Sequence, residues 1–167
     1  MSRHLALTTG LAILLAACSQ PGTPEATLPA SALAGAWAVT AIEHADGSVI
    51  DPAQPGLFVF TGHHYSAVHS TTAGPRPHSA TPFAATDEEA LAQFRSLIVN
   101  TGTYTVDGQT VTFRPMVARS PEFIGGEAAA EFAVDGDRLI LRFRRIVNAD
   151  GASAPDVGGS MTLRRVE

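Results

Sequence analysis

The stretch Thr103-Tyr104-Thr105-Val106-Asp107-Gly108-Gln109-Thr110-Val111-Thr112-Phe113 decides the fold. Apolar and threonine positions alternate on both sides of an Asp-Gly pair, the sequence form of a β-hairpin. A two-residue turn at Asp107-Gly108 pairs Thr105 with Thr110 and Tyr104 with Val111. Tyr104, Val106, Val111 and Phe113 then share one face, and Thr103, Thr105, Thr110 and Thr112 the other. One face is dry and one is wet.

The same alternation extends in both directions. Downstream, a hairpin turns near Asp135 to Asp137 and puts Phe132, Val134, Leu139, Leu141 and Phe143 on one side. Glu131 falls beside Arg142 on the wet side, a cross-strand pair worth a few tenths of a kcal/mol at most. A last strand runs from Ser160 to Val166. Upstream, Ala34 to His44 places Trp37, Val39 and Ala41 on one face before a turn at Asp46-Gly47. Leu57 to Phe60 and Tyr65 to Ser70 follow, joined by a short turn at Thr61 to His63. Pro75, Pro77 and Pro82 keep the stretch from Thr71 to Pro82 out of regular pairing. One helix interrupts the strands: Thr86 and Glu89 form a capping box, with Leu91, Phe94 and Ile98 at helical spacing. It is expected across the domain as a plug or lid, with Leu91 and Phe94 in the core.

These elements predict an all-β fold of roughly eight antiparallel strands with one inserted helix. A closed up-and-down barrel suits one apolar face throughout and removes exposed edges. An open β-sandwich is the alternative.

The N-terminus carries a different message. Arg3 precedes an apolar run from Leu5 to Ala17, which ends in Leu15-Ala16-Ala17 before Cys18, the single cysteine. This resembles a bacterial lipoprotein signal, with residues 1–17 removed and Cys18 acylated. Residues 18–32 contain Pro21, Gly22, Pro24 and Pro29 and read as a spacer of roughly 3 Å per residue. The folded domain then covers residues 33–167. Ten of the eleven basic side chains and all sixteen acidic ones lie after Cys18, a formal charge of −6. Such a charge argues against nucleic acid and against a polybasic grip on anionic lipid. Membrane attachment is expected through acyl chains alone, each buried methylene contributing about 0.8 kcal/mol. Ser19 follows the cysteine where some bacteria use aspartate to retain lipoproteins at the inner membrane. The expectation is a periplasm-facing protein of the outer membrane.

Gly35-Ala36-Trp37, at the start of the first strand, resembles the Gly-x-Trp signature of the lipocalins. In that family the tryptophan closes one barrel end under an arginine of the last strand. Arg164 and Arg165 both stand there, and parity with Met161 and Leu163 favours Arg165. The wider resemblance is to bacterial lipocalin-like domain proteins and runs from about Leu33 to the C-terminus. Gly56-Leu57-Phe58-Val59-Phe60-Thr61, His64-Tyr65-Ser66, Pro75-Arg76-Pro77, Thr86-Asp87, Gly102-Thr103-Tyr104 and Arg114-Pro115 carry it. It implies a lipocalin-like barrel closed by Gly35, Trp37 and Arg165, and no particular activity. The further signatures and the usual disulfide of classical lipocalins are missing, so their retinoid and haem-breakdown ligands do not follow.

Reactive side chains are densest at His63-His64-Tyr65 and His69, with His78 beyond. On a strand His63, Tyr65 and His69 face one way and His64 the other. No spacing matches a zinc pattern, so surface or rim histidines are expected and neither metal nor cofactor is implied. No Gly-x-Ser-x-Gly elbow or phosphate loop is present, and no catalytic residue is assigned. Arg76 and Arg114 each lie beside proline, which fixes the backbone and lets a guanidinium meet an anionic head group, or clamp a loop. Trp37, Tyr65, Tyr104, Phe113 and Phe132 either line a cavity or fill the barrel. The leading expectation is a monomeric, lipid-anchored barrel that binds a small hydrophobic or amphipathic molecule, contacted by Tyr65, Tyr104, Arg76, Arg114 and His64. The alternatives are an isomerase- or cyclase-type enzyme using His64 and Tyr65, and an envelope-interaction module with a filled barrel.

Overall fold

The computed structural model describes residues 30–154 and 157–167. The signal segment and Cys18 lie outside the described residues, as does the spacer up to residue 29. The strands are β1 (Gly35–Glu43), β2 (Val49–Ile50), β3 (Gly56–Phe60), β4 (His64–Ser70), β5 (Leu97–Asp107), β6 (Thr110–Ala118), β7 (Glu127–Asp135), β8 (Arg138–Val147) and β9 (Ser160–Arg165). One helix, α1 (Asp87–Arg95), stands between β4 and β5. Neighbours in the order β1-β3-β4-β5-β6-β7-β8-β9 pair antiparallel, and β9 pairs back onto β1 from Trp37↔Arg165 to Glu43↔Ser160. That last pairing closes an eight-stranded barrel and removes the open sandwich as an alternative. The short β2 is an extra strand on the end of β1.

The alternation holds, with local shifts. Val106 pairs with Val111 and Asp107 with Thr110, so the turn centres on Gly108-Gln109, one residue later than expected. Gly108, at φ 57°, takes the first central position, where a positive φ favours glycine. Both strands keep their parity, so Tyr104, Val111 and Phe113 are buried. In β1 a bulge between Val39 and Ala41 turns Ile42 inward in place of Ala41. A second bulge at Thr101/Gly102 brings the Arg114 carbonyl oxygen against Gly102, where a Cβ would overlap it. Glu131 and Arg142 are register partners, but the Glu131 carboxylate accepts from Arg144 at 2.7 Å on the exposed face.

The helix is not a plug. Its capping box forms: Thr86 Oγ1 accepts from the Glu89 amide, and the Glu89 carboxylate accepts from the Thr86 amide. Ser96 ends it before Ile98, which joins β5 opposite His69. The apolar stripe is thereby cut to Leu91 and Phe94, both about half exposed. Too little apolar surface remains to draw the helix into the core, and it rests outside the barrel against the start of β5.

One end of the barrel is filled. Leu33, Trp37, Phe132, Leu139, Leu141 and Leu163 are wholly buried there. The Trp37 Nε1–H donates to the Leu33 carbonyl at 2.7 Å, and the Arg165 guanidinium lies 3.9 Å above the indole. Arg165 donates to the carbonyls of Ala34 at 2.7 Å and Ala32 at 3.2 Å. Gly35, at φ 120°, lets the chain pass against the Glu167 carbonyl, where a side chain would collide. Removing the guanidinium forfeits a cation–π contact of about 0.5–2 kcal/mol and two charged hydrogen bonds. Arg165→Ala is expected to lower the unfolding free energy by about 2–4 kcal/mol in urea titrations. Arg165→Lys restores less than half of that, because an ammonium cannot fork between the two carbonyls.

Candidate ligand cavity

The half of the barrel away from Trp37 is hollow. Inward positions that carry Phe or Leu at the filled end carry Ala67 and Ala128 here, and a cavity of about 580 Å³ opens between the strands. This lies within the usual range for small-molecule sites. Phe58, Tyr65, Phe113, Phe143, Ile146 and Met161 form much of an apolar wall. His44, Ala45, Glu122, Asn148 and Ser153 stand around it.

Three polar side chains enter the wall from consecutive strands. His69 comes from β4, opposite Ile98 of β5. Asn100 of β5 sits between Ala67 of β4 and Ala118 of β6. Arg119, just past β6, is held by its own amide, which donates to the Val99 carbonyl at 2.8 Å. Tyr65, His69 and Ala67 share the inward parity of β4.

His69 is 7% exposed, its ring stacked on Phe58 with centroids 6.0 Å apart. Its Nδ1 is buried without a hydrogen-bond partner. Burial, and secondarily the nearby Arg119 charge, pulls its pKa down to about 4, so the ring is neutral at pH 7. Arg119 Nη1 donates to the carbonyls of Leu97 at 2.8 Å and of Phe94 and Arg95 at 3.4 Å, capping the negative end of α1. Its guanidinium lies 5.3 Å over the Phe94 ring, while its Nε is buried and unpartnered. The Tyr65 ring meets the edge of Phe113 at 4.8 Å, and burial pushes its hydroxyl up to about 12.

Of the five expected ligand contacts, Tyr65 alone lines this cavity. Tyr104 is buried nearer the filled end, its ring edge-on to Phe60 and its hydroxyl donating to the Thr61 carbonyl at 2.7 Å. Burial raises its pKa. Arg76 clamps the proline loop to the end of α1, its Nε donating to Ser96 Oγ at 3.1 Å and its Nη2 to the Gln93 carbonyl at 3.3 Å. Arg114 lies on the outer face, donating to Thr105 Oγ1 at 3.2 Å and pairing with Glu127 at 3.5 Å. His64 is exposed outside the wall through which Tyr65 points in, so a molecule inside the barrel does not reach both. His63 is an exposed turn residue and His78 an exposed loop residue. His69, expected at the surface or the rim, is buried at the cavity wall, because alternation with Tyr65 and Ala67 carries it inward. Among the described residues no group of three His, Cys, Asp or Glu converges as a metal site. Asn100 and Arg119 bear no motif; the pairing of β5 with β6 brings them together.

A closed antiparallel barrel, filled at one end and hollow at the other, defines an up-and-down β-barrel with an internal cavity. The model of the family described as "Lipocalin-like domain" matches residues 34–166, and the chain belongs to this family, whose fold suggests a ligand-binding role. No curated protein matches the chain in sequence. Among solved structures it is similar to a lipocalin-like protein from Bacteroides uniformis (16% identity, 80% of this chain and 98% of that one, TM-score 0.45). It is also similar to an uncharacterized protein from Bacteroides eggerthii (12% identity, 80% and 98%, TM-score 0.47).

His69 makes stability depend on pH in a calculable sense. Its folded pKa lies below the unfolded value near 6.5, so between these values the unfolded chain binds more protons. Stability therefore rises with pH across this window and is lost as pH falls from about 6.5 towards about 4. The contribution reaches up to about 3 kcal/mol. Urea titrations at pH 7 and pH 4 are expected to show a smaller acid loss for His69→Leu than for the parent chain.

Proposed function

We propose that this chain is a lipid-anchored, extracytoplasmic protein that takes a small hydrophobic or amphipathic molecule into its barrel. The observation that carries the reading is the apolar cavity of about 580 Å³. Its wall is mostly aromatic and aliphatic, so transfer of an apolar molecule from water is favoured at about 25 cal/mol per Å² buried. A few polar groups at one side suffice to orient such a guest. Membership in the lipocalin-like domain family supports the same reading.

The anchor rests on the sequence before the barrel. Leu15-Ala16-Ala17-Cys18 supplies an acylation site, and the proline-rich spacer after it separates lipid from domain. The guest is then met outside the cytoplasm and close to a membrane, where apolar molecules concentrate. The acidic mature chain is expected to leave nucleic acid alone.

Two measurements test these parts separately. Ala67→Phe and Ala128→Phe each place a ring in the cavity, and each is expected to weaken binding of the uncharged fluorescent probe phenylnaphthylamine by about tenfold or more. Far-ultraviolet circular dichroism should stay unchanged in at least one of them. A parent chain that binds no probe overturns the reading. For the anchor, Cys18→Ser is expected to move the protein out of the membrane fraction and to abolish labelling by a radioactive fatty acid. Sucrose-gradient fractionation of the parent chain with outer-membrane markers tests its destination.

A further inference from the structure

The polar groups that a guest can meet in this cavity differ from those it cannot. His69 Nδ1 and Arg119 Nε are fully shielded, so neither touches the space inside. Three other groups have no hydrogen-bond partner among the described residues and are not shielded: the Tyr65 hydroxyl, His69 Nε2 and the Asn100 side-chain amide. Tyr65, His69 and Asn100 all line the cavity. Register arranges them around one small residue. Asn100 of β5 lies opposite Ala67 of β4, and Tyr65 and His69 stand two positions either side of Ala67 on the same face. Asn100 is therefore the diagonal neighbour of both, about 7–8 Å away between positions, a span within reach of long and aromatic side chains. The single methyl group of Ala67 leaves the space between them open.

None of these three groups carries charge at pH 7. Burial pushes the Tyr65 hydroxyl up to about 12, so it stays protonated, and the His69 ring is neutral. An amide does not titrate. The Arg119 guanidinium is turned away: its Nη1 donates to the carbonyls of Phe94, Arg95 and Leu97, and it stacks over the Phe94 ring of α1, outside the barrel. Glu43, His44 and Glu122 are exposed, with Glu43 accepting from Ser160 Oγ at 3.0 Å. An ionised guest gives up its hydration for a wall whose accessible polar groups carry no opposite charge. A guest with an uncharged head gives up far less, and it finds donors and acceptors together. The tyrosine hydroxyl does both, and the asparagine amide pairs an NH₂ donor with a carbonyl acceptor.

We propose that the cavity takes an uncharged single-chain amphiphile with a hydroxyl head group, held over Ala67 between Tyr65 and Asn100. Its tail lies among Phe113, Phe143, Ile146 and Met161. This rests on the cavity reading above and adds the chemistry of its guest. The guest hydroxyl accepts from the Tyr65 hydroxyl and donates to Asn100 Oδ1. An ether or ester head can accept but cannot donate, so it leaves Asn100 Oδ1 without a partner once water is displaced. A hydroxyl meets both needs with one atom. The tail wall starts beside the head: the Tyr65 ring packs edge-on to Phe113 at 4.8 Å, and Phe113 and Phe143 have centroids 6.5 Å apart.

The experiment is competition against phenylnaphthylamine on the purified full chain at pH 7. Decanol, its isomer methoxynonane, decanoate and decylamine have tails of similar length and differ in the head. Decanol is expected to bind about tenfold or more tighter than either ion, since burying an unpaired charge is costly. It is expected to bind about threefold or more tighter than the ether, the worth of one neutral hydrogen bond. Asn100→Leu should bring alcohol and ether within about twofold of each other. Tyr65→Phe should weaken both alike, because both accept from that hydroxyl. The parent-chain comparison needs no variant, so a folding defect in either substitution leaves the test standing. If decanoate or decylamine matches decanol on the parent chain, the uncharged-guest assignment falls and the apolar cavity reading survives. If the ether matches the alcohol, or the alcohol keeps its advantage in a folded Asn100→Leu chain, the hydroxyl assignment to Asn100 falls. If the probe itself does not bind, both readings fall together.

Discussion

The contact between Arg165 and Trp37 is the constraint on which the rest of the barrel depends. A closed sheet needs its last strand to return to its first, and that return starts where Trp37 and Arg165 lie opposite one another. The guanidinium covers the indole at 3.9 Å and binds the carbonyls of Ala32 and Ala34, which approach from outside the sheet. The indole in turn holds the Leu33 carbonyl. Four backbone or ring groups that would otherwise end at a wet barrel mouth are satisfied at once. Filling this end also decides where space remains, because side chains that seal one half leave the opposite half to the smaller Ala67 and Ala128.

The cavity end is built on the reverse terms. Stability there is given up: a neutral histidine is buried, an arginine nitrogen is orphaned, and a void is left in place of packed side chains. Each of these opposes folding, by the desolvation of a polar group or the loss of dispersion contacts. The filled end offsets them. The division along the barrel axis is physical: one end carries the packing energy, and the other carries the cavity. Arg119 links this end to α1, since the same side chain lines the cavity and caps the helix carbonyls.

Much of the fold was legible as alternation. The faces of β5, β6, β7 and β8 follow from residue parity, and parity survives the shift of the Gly108-Gln109 turn. The capping box placed the start of α1 correctly, because Thr86 and Glu89 act within one helical turn. What failed depended on distant partners. The bulge in β1 exchanges Ala41 for Ile42, and it arises from the pairing with β9. Leu91 and Phe94 look like a buried stripe until Ser96 ends the helix and Ile98 is taken by β5. Arg76 and Arg114, beside their prolines, prove to be engaged with Ser96 and Glu127 on the outside. Nothing around Arg119 in the chain marks it, and His69 was legible only as one of several histidines.

By itself, then, the amino-acid sequence determined the strands and their wet and dry faces, and its resemblance to the lipocalins implied the Trp37 and Arg165 pair. The strands and their faces rest on local rules: side chains alternate every residue along a strand, and turns need glycine where φ is positive. Tertiary structure alone decided that the helix lies outside, that one half of the barrel is hollow, and that His69, Asn100 and Arg119 meet at its wall. Those outcomes come from the pairing of strands and the closure of the sheet, which bring residues far apart in the chain onto one curved surface. A cavity is a property of that surface, and no residue carries it alone.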